Sequence, residues 1–370
     1  MKILNVYKGD LFGGIEKFLI TLAAIEKPEL VKFEFALCYE GKLAQELKAI
    51  GATVHFLGHV RIRDPLGVMH ARRALASLIQ SGKFDFVVCH ASWTQALFAS
   101  VADKTKTPEL FWIHDANRGA LWLDKWANST KPNALIFNSQ FTLGVSSHLF
   151  SKVRRHVIYY PVPAQNTASA ADREAVRREL GEELDIPVII QLCRLERWKG
   201  HELLLRSLGR IKDTERFSCW IVGGPQRPGE QKYFDEIKAL AAELGLTNRV
   251  RFVGQRSDVA RLLAAADIHC QPNQGPEPFG IAFIEALQSG LPLVTTAMGA
   301  APEIVDDTCG VLVPPNDPEK LAFALVSLLR DPDLRHRLGG NGPARAHQLC
   351  DPTSHLVHLN SFLSSLGPES

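Results

Sequence analysis

Asp267-Ile-His-Cys-Gln-Pro272, Glu277-Pro-Phe-Gly-Ile-Ala-Phe-Ile-Glu285 and Leu291-Pro-Leu-Val-Thr-Thr296 follow one another along the chain and read as strand, helix, strand. The helix is expected over 279–289, with an apolar stripe at Ile281, Ile284, Ala286 and Leu287. Pro278 suits its first turn, where no backbone donor is lost, and Gly290 suits its end. The N-terminus of such a helix points unpaired N–H groups above the sheet, and its dipole favours an anion there. Glu277 stands at the mouth, with Glu285 about two turns further in, ~12 Å away at ~1.5 Å rise per residue. Paired glycosidase carboxylates sit ~5–10 Å apart. The wider spacing here suits the two ends of one elongated ligand, such as a sugar joined through phosphates to a ribose.

Outward from this unit, short apolar strands and amphipathic helices alternate along the chain. Strands are expected at 2–7, 33–38, 53–57, 85–89, 109–113, 134–137 and 156–159, then at 187–192, 217–222, 250–253, 267–271, 292–296 and 309–313. Helices are expected between them, among others at 14–26, 67–81, 119–128, 139–149 and 199–211. This alternation argues for parallel sheets covered by helices on both faces. Tyr160-Pro-Val-Pro-Ala-Gln-Asn-Thr-Ala-Ser-Ala170 reads as a linker. The expected domains are 1–163 and 164–350, with a C-terminal helix over 351–370 returning to the first domain. Two α/β domains of this kind would face each other across a cleft lined by the carboxyl ends of their strands.

The 370 residues are enough for two cores, and their composition is that of a globular protein. No apolar run reaches the ~20 residues needed to span a bilayer. Seven scattered cysteines without a Cys-x-x-Cys pair suit buried thiols in a reducing cytoplasm. The net charge of +2 divides unevenly: residues 1–163 hold 20 Lys/Arg against 13 Asp/Glu, and the remainder 22 against 27. A basic first half suits an anionic membrane surface or a phosphorylated acceptor, and no nucleic-acid motif accompanies it.

Several loops at strand ends carry chemistry. Gly13-Gly14 joins the first strand to the first helix, where a backbone can approach a ligand closely. The same loop lacks the Gly-x-Gly-x-x-Gly of a dinucleotide-binding dehydrogenase. Arg194-Leu-Glu-Arg-Trp-Lys199-Gly200 follows the first strand of the second half, and Arg194 and Lys199 can together neutralise a pyrophosphate. His114 ends one strand, His90 the strand before it, and Gly223 and Gly254 end strands of the second half. Glu303 follows Met298-Gly-Ala-Ala-Pro302. Asp331-Pro-Asp333 is the sole Asp-x-Asp, and its position suits a helix cap better than a metal ligand.

The segment Glu277–Glu285, together with Arg194, Lys199 and Gly200, resembles the donor site of the retaining glycosyltransferases of family 4, the glycosyl transferases group 1, which have the GT-B architecture of two Rossmann-like domains. The resemblance spans nearly the whole chain and is strongest over 187–313. It implies that Glu277 meets the transferred sugar, that Glu285 holds the ribose, and that the amides of Phe279, Gly280 and Ile281 hold the diphosphate with Arg194 and Lys199. It further implies His114 near the sugar, Gly14 facing the diphosphate, Gly223 and Gly254 around the sugar and base, and Glu303 near the ribose. Ala300 stands where the family usually has a second glycine, so the local turn is expected to differ.

The activity implied is metal-independent transfer of a hexosyl group, with retained anomeric configuration, from a nucleoside diphosphate sugar to a saccharide or lipid-linked acceptor, with no cofactor. Such an enzyme is expected in the cytoplasm, serving polysaccharide or glycoconjugate synthesis. Arg61, Arg63, His70, Arg72 and Arg73, with Trp122 and Trp126 spaced four apart, read either as a solvated face with a core aromatic pair or as peripheral contact with the inner face of an anionic membrane. A nucleotide-sugar epimerase of the same architecture and a non-catalytic nucleotide-sugar binding protein are the alternatives.

Overall fold

The computed structural model describes residues 1–164, 170–226 and 228–366. The central part of the expected linker, 165–169, lies outside the described residues. The chain forms two compact units, Met1–Pro163 with Cys350–Ser370, and Ala164–Leu349.

In the first unit, β1 (Lys2–Tyr7), β2 (Lys32–Leu37), β3 (Thr53–Phe56), β4 (Phe86–His90), β5 (Glu109–Ile113), β6 (Ala134–Phe137) and β7 (Arg154–Val157) pair in the order β3-β2-β1-β4-β5-β6-β7. Every pairing is parallel. In the second unit, β8 (Val188–Leu192), β9 (Ser218–Val222), β10 (Val250–Gly254), β11 (Ile268–Gln271), β12 (Leu293–Thr296) and β13 (Gly310–Val313) pair in the order β10-β9-β8-β11-β12-β13, again all parallel. The inner strands β4, β5, β8 and β9 are almost wholly buried, as expected of parallel strands covered on both faces, whereas the edge strands β3, β7 and β10 are only partly buried. In each sheet the strand order reverses at one place, between β1 and β4 and between β8 and β11. Loops leaving neighbouring strands part there and open the crevice in which α/β sheets take their ligands.

Several boundaries differ from expectation for physical reasons. The helix expected over 279–289 is Ile281–Gln288, because Gly280 turns into the left-handed region at φ 102° and delays its start. Pro278 therefore lies ahead of the helix rather than in its first turn. The helix expected from 199 starts at His201, after a 3₁₀ turn over Arg197–Lys199 and Gly200 at φ 78°. The strand expected at 156–159 is Arg154–Val157, placed by its register against β6 rather than by its apolar residues. The helices expected over 119–128 and 139–149 shorten to Trp122–Ala127 and Gln140–Val145. A one-turn helix, Ala301–Ile304, was not expected. None of the seven cysteines is in a disulfide among the described residues, and all but Cys193 are buried. Among the described residues no helix is long and apolar enough to cross a membrane.

Candidate active site

In the second unit the residues singled out leave the same edge of the sheet, strand by strand. Gly254 ends β10, Gly223 follows β9, Arg194 and Lys199 follow β8, Glu277 follows β11 and Glu303 follows β12. Two loops at the reversal point are joined backbone to backbone, with Gln274 N and Gly275 N donating to Trp198 O at 2.7 and 3.2 Å. Gly200 lies against this joint so closely that a Cβ would stand 1.8 Å from Pro272 O. On the other side, Ala300 N donates to Glu277 O at 2.8 Å. Gly299, at φ 63°, leaves no room for a side chain, since a Cβ would stand 2.3 Å from Glu277 O. The glutamate is thus held by its backbone before its carboxylate is considered.

That carboxylate is buried at 7 % exposure. Lys199 Nζ lies 2.5 Å from its Oε2, with the two side chains 12 % and 10 % exposed. Gln271 Nε2 and Asn273 Nδ2 each donate to the same Oε2 at 3.3 Å. Lys199 also rests over the Trp198 ring at 4.0 Å, an arrangement that favours a cation on that face. Arg194 is half-buried beside Glu196, 3.1 Å away. The Lys199–Glu277 pair therefore stands at the sheet reversal, ahead of the helix Ile281–Gln288, with Arg194 on the same loop as Lys199. Among the described residues no acceptor pairs with the amides of Gly280, Ile281 or Ala282. Phe279 is buried, and Glu285 is buried inside that helix at 8 % exposure. Gly223 packs against Cys193 O, where a Cβ would stand 2.1 Å away, and Gly223 N donates to Gly254 O at 2.9 Å. Glu303 sits on the helix Ala301–Ile304, whose carbonyls Arg345 holds. Ala300 takes an ordinary right-handed conformation, so the family's second glycine has no conformational role here.

Burial tunes the neighbours. It pushes the Cys193 thiol up to about 12, against a smaller opposing effect of Lys199. It pulls His201 down to about 4, with Lys199 adding to the effect. Asp331 Oδ1 accepts from Leu334 N at 2.9 Å, so this member of the Asp-x-Asp caps a helix. Among the described residues no group of three His, Cys, Asp or Glu could hold a metal ion.

His114 and Gly14 belong to the first unit. His114 is 2 % exposed, and both its ring nitrogens are engaged. Its Nε2 meets His90 Nδ1 at 2.9 Å, its Nδ1 meets the Tyr160 hydroxyl, and His90 Nε2 meets Asn5 Oδ1 at 2.9 Å. Asn138 Nδ2 reaches the same Tyr160 hydroxyl at 3.2 Å. Asn5, His90, His114, Asn138 and Tyr160 come from β1, β4 or the segments following β5, β6 and β7, so the chain crosses five neighbouring strands. An amide oxygen accepts at the Asn5 end, so with neutral rings each donor faces one acceptor along the whole line. Burial keeps both rings neutral, lowering His90 to about 3 and His114 well below its ordinary value, with His90 adding to the effect at His114. A ligand hydroxyl reaches the His114 ring only by displacing Tyr160 or His90.

Gly14 opens the helix Gly14–Ala24. That helix start already holds an anion, since Glu16 Oε2 accepts from Gly13 N and Glu16 Oε1 from the Tyr7 hydroxyl, both at 2.8 Å. Sequence reasoning passed over Glu16, Gln271, Asn273, Asn138 and Tyr160. Four of the five stand just past a strand end or at its last residue, which is the signal that marks them.

The class follows from the fold and this arrangement. The fold is that of the GT-B glycosyltransferases, and residues 172–345 match the family of glycosyl transferases group 1. Over 203 residues it is 37 % identical to D-inositol 3-phosphate glycosyltransferase of Corynebacterium kroppenstedtii, covering 53 % of this chain and 45 % of that one. The chain thus spans about half the length of that relative. It is 27 % identical over 359 residues to the GDP-mannose-dependent monoacylated alpha-(1-6)-phosphatidylinositol monomannoside mannosyltransferase of Corynebacterium glutamicum, covering 90 % and 89 % of the two chains. Anabaena HepE, solved in complex with UDP-glucose, superposes with a TM-score of 0.86 at 26 % identity, over 99 % of this chain and 100 % of that one.

Proposed function

We propose that this protein is a hexosyltransferase that moves a sugar from a nucleoside diphosphate sugar to a hydroxyl of a saccharide or lipid-linked acceptor, with retained configuration and without a metal ion. The observation that carries the reading is the Lys199–Glu277 pair at the sheet reversal, beside a helix start with open amides. In the reaction the bond from the anomeric carbon to the leaving phosphate oxygen breaks, and the acceptor oxygen bonds to the same face. The acceptor proton passes to the leaving phosphate. Negative charge grows on that phosphate, so fixed donors around it carry most of the catalysis. Arg194, Lys199 and the amides of Phe279, Gly280 and Ile281 supply them. Glu277 orients the sugar, Glu285 and Glu303 take the ribose, and Gly223 and Gly254 leave room for the sugar and base. The doubly engaged ring of His114 favours support of the first unit's strand ends over direct contact with a hydroxyl, and Gly14 offers backbone to the acceptor side.

The relatives support the donor class without choosing the base: one is GDP-mannose-dependent and another was solved with UDP-glucose. An acceptor at a membrane fits the first unit, where Leu121 and Trp122 are 66 % and 62 % exposed and Trp122 stacks on Trp126 with ring centres 6.3 Å apart. We place the enzyme in the cytoplasm, at the inner face of the plasma membrane. Calorimetric titration with UDP, GDP, ADP and their common sugar conjugates, with and without EDTA, tests the donor site. The expected result is micromolar binding of one diphosphate, unchanged by EDTA. Absence of binding by all of them overturns the reading, and loss of binding in EDTA overturns metal independence. Release of diphosphate only when an acceptor is present separates a transferase from an epimerase or a binding protein.

A further inference from the structure

We infer that Asn273 and Gln271 are positioning residues that aim Glu277, and that they make the site sensitive to the sugar rather than to the nucleotide. The inference rests on the donor-site reading above. Lys199 Nζ, Gln271 Nε2 and Asn273 Nδ2 all converge on Glu277 Oε2, while among the described residues no donor reaches Oε1. A carboxylate held through one oxygen presents the other, so Oε1 is the atom left to accept from a ligand hydroxyl.

Lys199 alone cannot guarantee this aim. A diphosphate competes for the same ammonium, and a buried carboxylate whose cation turns elsewhere needs other donors. The two amides are built for that task. Gln271 and Asn273 are each 1 % exposed. Thr295 Oγ1 donates to Gln271 O at 2.8 Å and Thr296 Oγ1 to Asn273 O at 2.6 Å, which pins both backbones to β12. Gln271 Nε2 also donates to Asn273 Oδ1 at 3.0 Å, so the Asn273 oxygen turns away from the carboxylate and its NH₂ turns toward it. The orientation is kept although it leaves Gln271 Oε1 buried without a donor. An orphan acceptor is unfavourable, and here it accompanies an NH₂ group that serves two oxygens.

The test compares wild type, Asn273→Ala and Asn273→Asp by calorimetry with UDP, GDP and ADP and with UDP-glucose, GDP-mannose and ADP-glucose. Slow hydrolysis of the bound donor serves as the rate. For Asn273→Ala the expected result is diphosphate affinity within about twofold of wild type, with donor hydrolysis down about 10- to 100-fold, the range for losing one hydrogen bond to a charged group. Asn273→Asp has the same shape but repels Glu277, so it should be the worse of the two. Its rate should recover as pH falls and one proton bridges the carboxylates. A merely space-filling role predicts the opposite order, with Asp near wild type and Ala impaired. That order overturns the inference, as does an unchanged rate in both variants. Because Asp is isosteric, it decides the matter if the alanine variant fails to fold. If wild type binds no diphosphate, the donor-site reading falls and this inference with it. If wild type binds and the variants keep its rate, this inference alone falls.

Discussion

Replacing Lys199 by Met removes the cation from a carboxylate that the fold does not release. Glu277 stays buried, its backbone gripped by Ala300 N and Gly299, with two amides left on Oε2. Breaking a buried ion pair by removing one partner costs about 3–5 kcal/mol when nothing else serves the remaining charge. With two neutral donors still present, about 2–4 kcal/mol is expected here. A unit of this size loses ~2–4 °C per kcal/mol, so the melting temperature of Lys199→Met should fall by about 5–15 °C. Under the proposed function turnover should fall further than stability explains, by about 10²–10³, because the variant lacks the donor assigned there to the leaving phosphate. Lys199→Met/Glu277→Gln separates the two effects. With both charges removed and the amides still engaged, stability should return to within about 1 kcal/mol of wild type while turnover stays lost. Scanning calorimetry and single-turnover donor hydrolysis read the two quantities. A Lys199→Met protein as stable as wild type, or one losing less than tenfold in rate, refutes the reasoning.

Three further outcomes are expected. Gly200→Ala forces a Cβ to 1.8 Å from Pro272 O at φ 78°, so urea unfolding should show a loss of about 2–4 kcal/mol, and a wild-type midpoint would remove the claim that this contact closes the loop joint. His90, held neutral by burial with its folded value lowered to about 3, takes up a proton more readily when unfolded. The stability it contributes is present above about pH 6.5 and lost as pH falls, reaching about 2–3 kcal/mol by roughly pH 4.5; the stability curve of His90→Gln should be flatter by that amount, and an unchanged slope counts against the neutral chain. Vesicles containing anionic lipid should sediment the wild-type protein at low salt and Trp122→Ser less; no sedimentation of wild type ends the membrane proposal.

Much of this molecule is legible from sequence because parallel strands buried on both faces are written as apolar runs. β8, β11 and β12 each stand close to where their Val, Ile and Leu place them. The placement of Lys199 and Glu277 at the ends of neighbouring strands was legible for a different reason, since the loop carrying each directly follows an apolar strand run. The partners were not legible. Gln271 and Asn273 look like the polar fringe of a strand, and their role depends on which way two amides point. The burial of His114 is equally silent, because Tyr160 and Asn5, which complete its surroundings, lie 46 residues after it and well over a hundred residues apart from each other. Helix starts were misplaced where Gly200 and Gly280 adopt left-handed conformations, since a glycine permits a positive φ without announcing one.

The composition of the first unit from two distant pieces of chain sets an order of assembly. Its sheet is complete by β7, yet its last helix, Pro352–Ser364, carries buried His355, Leu356, Leu359, Phe362 and Leu363 and is docked by His355 Nδ1 to Tyr159 O and by Arg154 to Ser365. On a ribosome that helix emerges only after the whole of Ala164–Leu349, so the second unit can close while the first still shows an apolar groove to its surroundings. The domain that is synthesised first is therefore the one finished last, and during that interval it is the domain a chaperone or protease would meet.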